Sequence, residues 1–192
     1  TDTPEKRKEY HLIVEEQLKQ LGGLVEQILS MSRKEKKDFQ LNYETIELRP
    51  MVENIISRQL LKSEKPVSIR LQMEEDISVR ADRTHLSNMI SNLSDNAEKY
   101  SDEKADICIK CQTLGKVCQI SVIDKGIGIP LDKQPFLFNK FYRVPTGNRH
   151  DVKGYGLGLY YVKMMAELHG GSIRVESSPG KGSTFTLEIP MK

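Results

Sequence analysis

Two asparagines one helical turn apart, followed by three glycine clusters, constrain this chain more than any other feature. Asn92 and Asn96 lie on a stretch that reads as a helix, with Lys99 and Tyr100 a turn further on. The clusters are Asp124-Lys-Gly126-Ile-Gly128, Gly154-Tyr-Gly156-Leu-Gly158 and Gly180-Lys-Gly182-Ser-Thr184. Without a Cβ, glycine lets backbone N–H groups come close to an anionic oxygen. Residues four apart share a helix face, so the two asparagine amides can hold a hard cation such as Mg²⁺, and Lys99 can reach a phosphate. Together these residues describe a nucleotide pocket. The letters match neither G-x-G-x-x-G nor G-x-x-x-x-G-K-[ST], so it is neither a dinucleotide-binding fold nor a P-loop.

The 192 residues suffice for one ordinary domain with an appendage. With 38% apolar and 29% charged residues the chain reads as soluble and globular, and a net charge of +2 gives no argument for nucleic acid or a membrane surface as partner. No apolar run approaches the roughly 18 residues needed to span a bilayer, and no secretory leader opens the sequence. A cytosolic protein, or a cytosolic piece of a larger one, is expected. Cys108 and Cys111 have a metal-like spacing, but no second Cys/His pair completes a zinc set. Their surroundings alternate like a hairpin around Leu114-Gly115-Lys116, so Cys108, Cys111 and Cys118 are expected as free strand cysteines.

Along the chain, residues 5–33 read as one helix opened by Thr3-Pro4-Glu5, with Gly22-Gly23 an unexplained interruption. Val14, Leu18, Leu21, Val25 and Ile28 follow a 4-3-4-3 spacing, a heptad seam. A seam this short implies partner helices that the chain does not visibly contain. The charged connector Arg33-Lys-Glu-Lys-Lys-Asp38 sets a boundary, giving domains 1–38 and 39–192. Beyond it, strands are expected at 39–48, 67–73 and 77–81, helices at 50–61, 83–100 and 157–168, the cysteine hairpin ending at Asp124, and a closing hairpin of 172–176 with 184–189. Residues 131–153 carry little periodic signal. The fold class is α+β.

Several residues fit a nucleotide. Asp124 ends an apolar strand, where a partly buried carboxylate needs hydrogen-bond donors, and an exocyclic N–H₂ such as that of adenine supplies one. Guanine presents an acceptor there and is rejected. Gly126 and Gly128 would let the backbone approach the base. Gly154, Gly156 and Gly158 precede a helix, whose bare N-terminal amides attract anions. In Phe138-Asn-Lys-Phe-Tyr-Arg143, Lys140 and Arg143 could clamp phosphates while Phe138 and Phe141 anchor the loop. Residues 145–153 read as a lid.

In this order the segments Asn92-Leu-Ser-Asp-Asn96-Ala-Glu-Lys99-Tyr100, Asp124-x-Gly-x-Gly-Ile-Pro130, Phe138-x-Lys-Phe-Tyr-Arg143, Gly-x-Gly-Leu-Gly-Leu159 and Gly-x-Gly-Ser-Thr-Phe185 closely resemble the N, G1, F, G2 and G3 boxes of sensor histidine kinases. The resemblance covers about residues 40–192. It implies the Bergerat-type (GHKL) α/β sandwich, a mixed sheet with helices on one face and ATP bound under a mobile lid. It also implies that Asn96, helped by Asn92, is the Mg²⁺ ligand. Lys99, Arg143 and Lys140 would meet phosphates, Tyr100 would lie on adenine, and Asp124 would take the adenine amino group. Ile129, Phe138, Phe141, Tyr142, Tyr155, Leu157, Leu159 and Thr184 would line the nucleotide with the glycines.

The helix at 5–33 is similar to the second helix of the family's dimerisation and phosphoacceptor hairpin. The family's His-Glu acceptor box is absent: His11 has no following acid, and His85, His150 and His169 do not match. The chain therefore resembles a truncated piece of a two-component signal-transduction kinase, expected to bind Mg-ATP without phosphorylating itself. In the parent, the γ-phosphate would pass to a histidine on the missing helix of a homodimer, then to an aspartate of a response-regulator receiver domain. The parent would be anchored in the inner membrane. Two alternatives share the pocket, a non-catalytic pseudokinase module and a GHKL ATPase. Related ATPases place a glutamate base one turn before the metal asparagine. Here that position is Asn92, and an amide cannot take the proton.

Overall fold

The computed structural model describes residues 39–144 and 155–191. The helix expected at 5–33, its seam, His11 and the charged connector lie outside the described residues, as do the lid, His150 and Gly154. The described residues from Leu41 onward belong to one compact unit.

Strand β1 (Tyr43–Glu47) is shorter than the alternation predicts, because helix α1 (Leu48–Lys62) begins at once. Pro50 sits in the first turn of α1, where a missing N–H removes no helical hydrogen bond. The helix buries Leu48, Met51, Val52, Ile55 and Gln59. Strands β2 (Val67–Gln72) and β3 (Ser78–Asp82) follow, and Asp82 caps helix α2 (Arg83–Lys99) by accepting the His85 N–H at 3.1 Å. Leu86, Met89, Ile90, Leu93 and Ala97 form the buried stripe of α2.

The cysteine hairpin is β4 (Ala105–Leu114) and β5 (Val117–Asp124). A 3₁₀ turn at Gln134–Phe136 lies in the stretch without periodicity. Helix α3 (Gly158–Leu168) and the closing hairpin of β6 (Ser172–Ser178) and β7 (Gly182–Pro190) complete the chain.

A five-stranded sheet runs in the order β2-β4-β5-β7-β6, with β2 and β4 parallel and the other neighbours antiparallel. Alternation gives it two unlike faces. Ile107, Ile109 and Cys111 of β4, Cys118, Ile120 and Val122 of β5, and Phe185, Leu187 and Ile189 of β7 are buried against the helices. The opposite face is a polar ladder in which Gln112 donates to Gln119, Gln119 to Glu188, and Arg174 to Glu188. The α+β class, the mixed sheet and the one-sided helices are thus as the sequence leads one to expect. Cys111 and Cys118 are buried free thiols, both pushed up to about 12 by burial, so they are inert core residues.

A separate antiparallel pair, β1 with β3, was not foreseen. Its partners are 30 or more residues apart, and local alternation does not choose between sheets. No described helix is long and apolar enough to cross a membrane.

Candidate nucleotide site

Asp124 is the last residue of β5, opposite Ser183 at the start of β7. It is buried, and its Oδ1 accepts the backbone N–H of Gly126 at 2.8 Å and of Ser183 at 3.1 Å. Burial pushes the carboxyl above the usual carboxylate range, and these two N–H groups oppose that rise. Among the described residues nothing donates to Oδ2. A carboxylate gripped through one oxygen by the backbone, with the other open, is oriented to receive an N–H₂ donor.

Ser183 is the residue that sequence reasoning missed. It is buried, and its Oγ lies 2.9 Å from Ser177 Oγ. Thr184 stands in register with Ile123 and Glu176, on the sheet face away from the helices, whereas Ser183 shares the buried face with Asp124. Counting back by twos from the buried Phe185, Leu187 and Ile189 would have found it.

Glycine explains the next segment differently from the expectation. A Cβ at Gly126 would stand 2.5 Å from the Tyr100 carbonyl oxygen, and one at Gly128, whose φ is +67°, would stand 1.9 Å from the Ser178 carbonyl oxygen. These glycines admit other parts of the protein backbone. They bind the end of β5 to the end of α2 and to the β6–β7 turn. Ile127 N–H donates to Tyr100 O, and Ile129 N–H to Ser177 Oγ.

Midway along α2, Asn92 donates to the Asn88 carbonyl at 2.8 Å. Its Oδ1 points at the start of α3, where a Cβ on Gly158 would lie 2.7 Å away. Asn96 is half-buried, and its side-chain amide makes no hydrogen bond among the described residues. Lys99 is held below the ordinary lysine value by burial first and by the nearby Arg143 second, with Asp95 opposing. Burial raises the Tyr100 hydroxyl, and Arg143 lowers it. The charge of Arg143 is thus felt at both residues, and the Lys99 ammonium lies 5.5 Å from the Tyr100 ring centroid. The positive charge of Lys99 and Arg143 near this helix end suits an anionic ligand. The open amide oxygen of Asn96 and the hard oxygen of Asn92 fit a divalent cation accompanying that anion.

The aromatic segment divides in its behaviour. Phe138 anchors it, edge-on to Phe185 with ring centroids 6.5 Å apart, and Phe136 meets Tyr142 at 5.7 Å. Phe141 does not anchor with its ring, which is 65% exposed. Its backbone does: at φ +66° it donates to Gly156 O at 3.0 Å, and a Cβ on Gly156 would fall 2.7 Å from the Phe141 carbonyl carbon. Lys140 is exposed with its ammonium 5.5 Å from the Phe141 ring centroid, and it is not among the charged neighbours of Lys99.

Gly158 opens α3 with no side-chain cap, so the first-turn amides of α3 start where Asn92 ends. Leu157 is buried, Leu159 half-buried and Tyr155 exposed.

A nucleotide site built between a helix end, a strand-end carboxylate and the bare start of another helix defines an ATP-binding α/β sandwich. The chain belongs to the histidine kinase-, DNA gyrase B-, and HSP90-like ATPases, whose pattern matches residues 81–192, and its ATP-binding domain is of the sensor histidine kinase kind.

It is 36% identical over 185 residues to the sensor protein RprX of Bacteroides fragilis, covering 93% of this chain and 35% of that protein. Over 184 residues it is 33% identical to the sensor histidine kinase WalK of Bacillus subtilis, covering 94% of this chain and 30% of that one. The chain thus spans about a third of the length of these curated relatives. The histidine kinase ThkA, solved in complex with the response regulator protein TrrA, shares the fold at a TM-score of 0.68 and 24% identity, over 100% of this chain and 53% of that chain.

Proposed function

We propose that this chain is the phosphoryl-donating part of a sensor histidine kinase, giving the γ-phosphate of Mg-ATP to a histidine on a separate helix for relay to a receiver-domain aspartate. Asp124 holds the adenine amino group through Oδ2 and turns away guanine. Lys99 and Arg143 hold the phosphates, and Tyr100 lies along the base. Asn96 and Asn92 would hold Mg²⁺, which would supply neutralisation of the phosphate charge. Phosphoryl transfer asks mainly for positioning and charge neutralisation, and these residues supply both.

The observation that carries this reading over ATP hydrolysis is Asn92. Its amide is fixed by Asn88 and faces Gly158, so no carboxylate stands where the related ATPases keep a base for water. Residues 1–38 then belong to a dimerisation and phosphoacceptor domain, and 39–192 to the catalytic domain. The pairing of ThkA with a response regulator supports a receiver domain as partner. A homodimeric parent held in the inner membrane fits the same reading.

The test is γ-labelled ATP with the 192-residue chain and a separately made acceptor hairpin from a kinase of this kind. Acid-labile label should appear on the hairpin, slowly because the encounter is bimolecular, and none on this chain alone. Rapid phosphate release with no acceptor present would replace the kinase reading with the ATPase one.

A further inference from the structure

Helix α2 carries its site residues on one side and a polar network on the other. At about 100° per residue, Asn92, Asn96 and Lys99 fall within roughly 60° of one another. Ser94, Glu98 and Ser101 fall within a similar arc on the opposite side. The second arc faces α1. There Gln59, buried at the end of α1, donates to the Ser94 carbonyl at 3.1 Å and to Glu98 Oε2 at 2.7 Å. Ser94 Oγ, also buried, donates back to Gln59 Oε1.

The other Glu98 oxygen accepts from Ser63 Oγ at 2.7 Å, just past α1. Lys65 then closes the helix end, its ammonium donating to the carbonyls of Glu98, Ser101 and Asp102. The Glu98 carbonyl also accepts the Ser101 N–H at 3.1 Å, and a cation at this end suits the helix dipole. Every oxygen of the Glu98 side chain is thus committed to α1 or the turn after it. A glutamate inside the N box, two residues after the metal asparagine, is not available to ATP.

We propose that Gln59, Ser63, Lys65, Ser94 and Glu98 are positioning residues for the nucleotide site. They fix the rotation and axial position of the last turns of α2, and so the places of Asn96 and Lys99, while the Tyr100 carbonyl is held from the other side by the Ile127 N–H. The proposal rests on the ATP-binding reading of the site. It makes a divided prediction, because the base end of the site, Asp124, is on β5 and outside the network. Loosening α2 should weaken the phosphate and metal end alone.

The variants are Glu98→Ala, Glu98→Gln and Lys65→Met, with Ile46→Val in β1 as a stability control. In Glu98→Gln every partner stays satisfied. The new carbonyl oxygen accepts from Gln59, the new NH₂ donates to Ser63 Oγ, and the Ser63 hydrogen turns to the Lys65 carbonyl, already 2.8 Å away.

Affinity for Mg-ATP is measured by calorimetric titration, and for adenosine by chemical-shift perturbation, which reads millimolar binding. Glu98→Ala and Lys65→Met should lose about tenfold in Mg-ATP affinity, as outer partners of a metal site commonly do, with adenosine unchanged. Glu98→Gln should match the wild type, and so should Ile46→Val.

Unchanged Mg-ATP affinity in Glu98→Ala, equal losses for both ligands, or failure of Glu98→Gln to rescue would overturn the proposal. If Glu98→Ala does not fold, Lys65→Met at the surface carries the same comparison. A wild-type chain that ignores Mg-ATP would sink the site reading itself, a different outcome from any of these.

Discussion

The buried carboxylate of Asp124 opposes stability. Burial raises its folded-state pKa above the unfolded value of about 3.9. Such a group adds stability fully below that unfolded value and loses the contribution as pH rises through the folded one. At neutral pH the ionised side chain is therefore a burden on the fold. Asp124→Asn should keep the acceptor that Gly126 and Ser183 grip, and turn an NH₂ toward the ligand's own NH₂. ATP affinity should fall about 10- to 100-fold, the worth of one hydrogen bond to a charged group. Without nucleotide, the variant's melting temperature at pH 7 should equal or exceed the wild type's by a few degrees, the gap closing near pH 4. A variant that melts lower at pH 7 would contradict the burden assigned to the carboxylate.

Gly158 gives a second residue-scale case. An added Cβ meets only the tip of Asn92, 2.7 Å away, and alanine is favoured over glycine in a helix by about 1 kcal/mol. Gly158→Ala should fold as stably as the wild type yet lose about tenfold of the Mg²⁺-dependent part of ATP affinity, because Asn92 must swing aside. Titrations with and without Mg²⁺ check this, and an intact Mg²⁺ effect would remove Asn92 from the metal's neighbourhood.

At the scale of elements, α3 is tied to α2 at both of its own ends, by Gly158 against Asn92 at one and by His169 with Asp82 at the other. His169, just past α3, is buried with Nδ1 2.7 Å from the Met165 carbonyl, so Nδ1 carries the proton and Nε2 accepts the Asp82 N–H at 3.1 Å. Burial holds its imidazole below the ordinary value, with the Met165 carbonyl and Asp82 opposing and His85 reinforcing. A depressed folded pKa means stability is full above the unfolded value of about 6.5 and is lost as pH falls through the folded one. Thermal midpoints should drop between pH 7.5 and 5.5, and His169→Gln should flatten that slope, as a pH series of melting curves would show. An unaltered slope would put the acid sensitivity elsewhere.

The elements were largely legible in the sequence. The stripe of Leu86, Met89, Ile90, Leu93 and Ala97 has helical period, and the sheet strands alternate. What escaped depends on partners distant in sequence: the β1–β3 pair, the register that puts Ser183 rather than Thr184 at Asp124, and the link from Gln59 to Ser94 and Glu98. Phe141 escaped for another reason. Its type suggests an anchor, whereas its backbone, in the left-handed region, is what the neighbouring Gly156 holds.

For the whole molecule, the site gathers the end of α2, the ends of β5 and β7, the Arg143 segment and the start of α3. A ligand there touches several elements at once, among them α2 and β5, which meet where Gly126 packs on the Tyr100 carbonyl. Binding should therefore appear in global unfolding and not only in local order. At a hundredfold excess over its Kd, a ligand selective for the folded state adds about 2.7 kcal/mol. For a domain of this size that is a rise in melting temperature of about 5–10 °C. Mg-ATP should produce that rise, and GTP should produce none, since Asp124 offers only an acceptor where guanine also has one. Added salt should shrink the ATP effect, because Lys99 and Arg143 supply part of it through charge. A rise that GTP matches would mean that the phosphates alone are held and that Asp124 selects nothing. A rise that survives Asp124→Asn at full size would mean the same, and would move base recognition away from the end of β5.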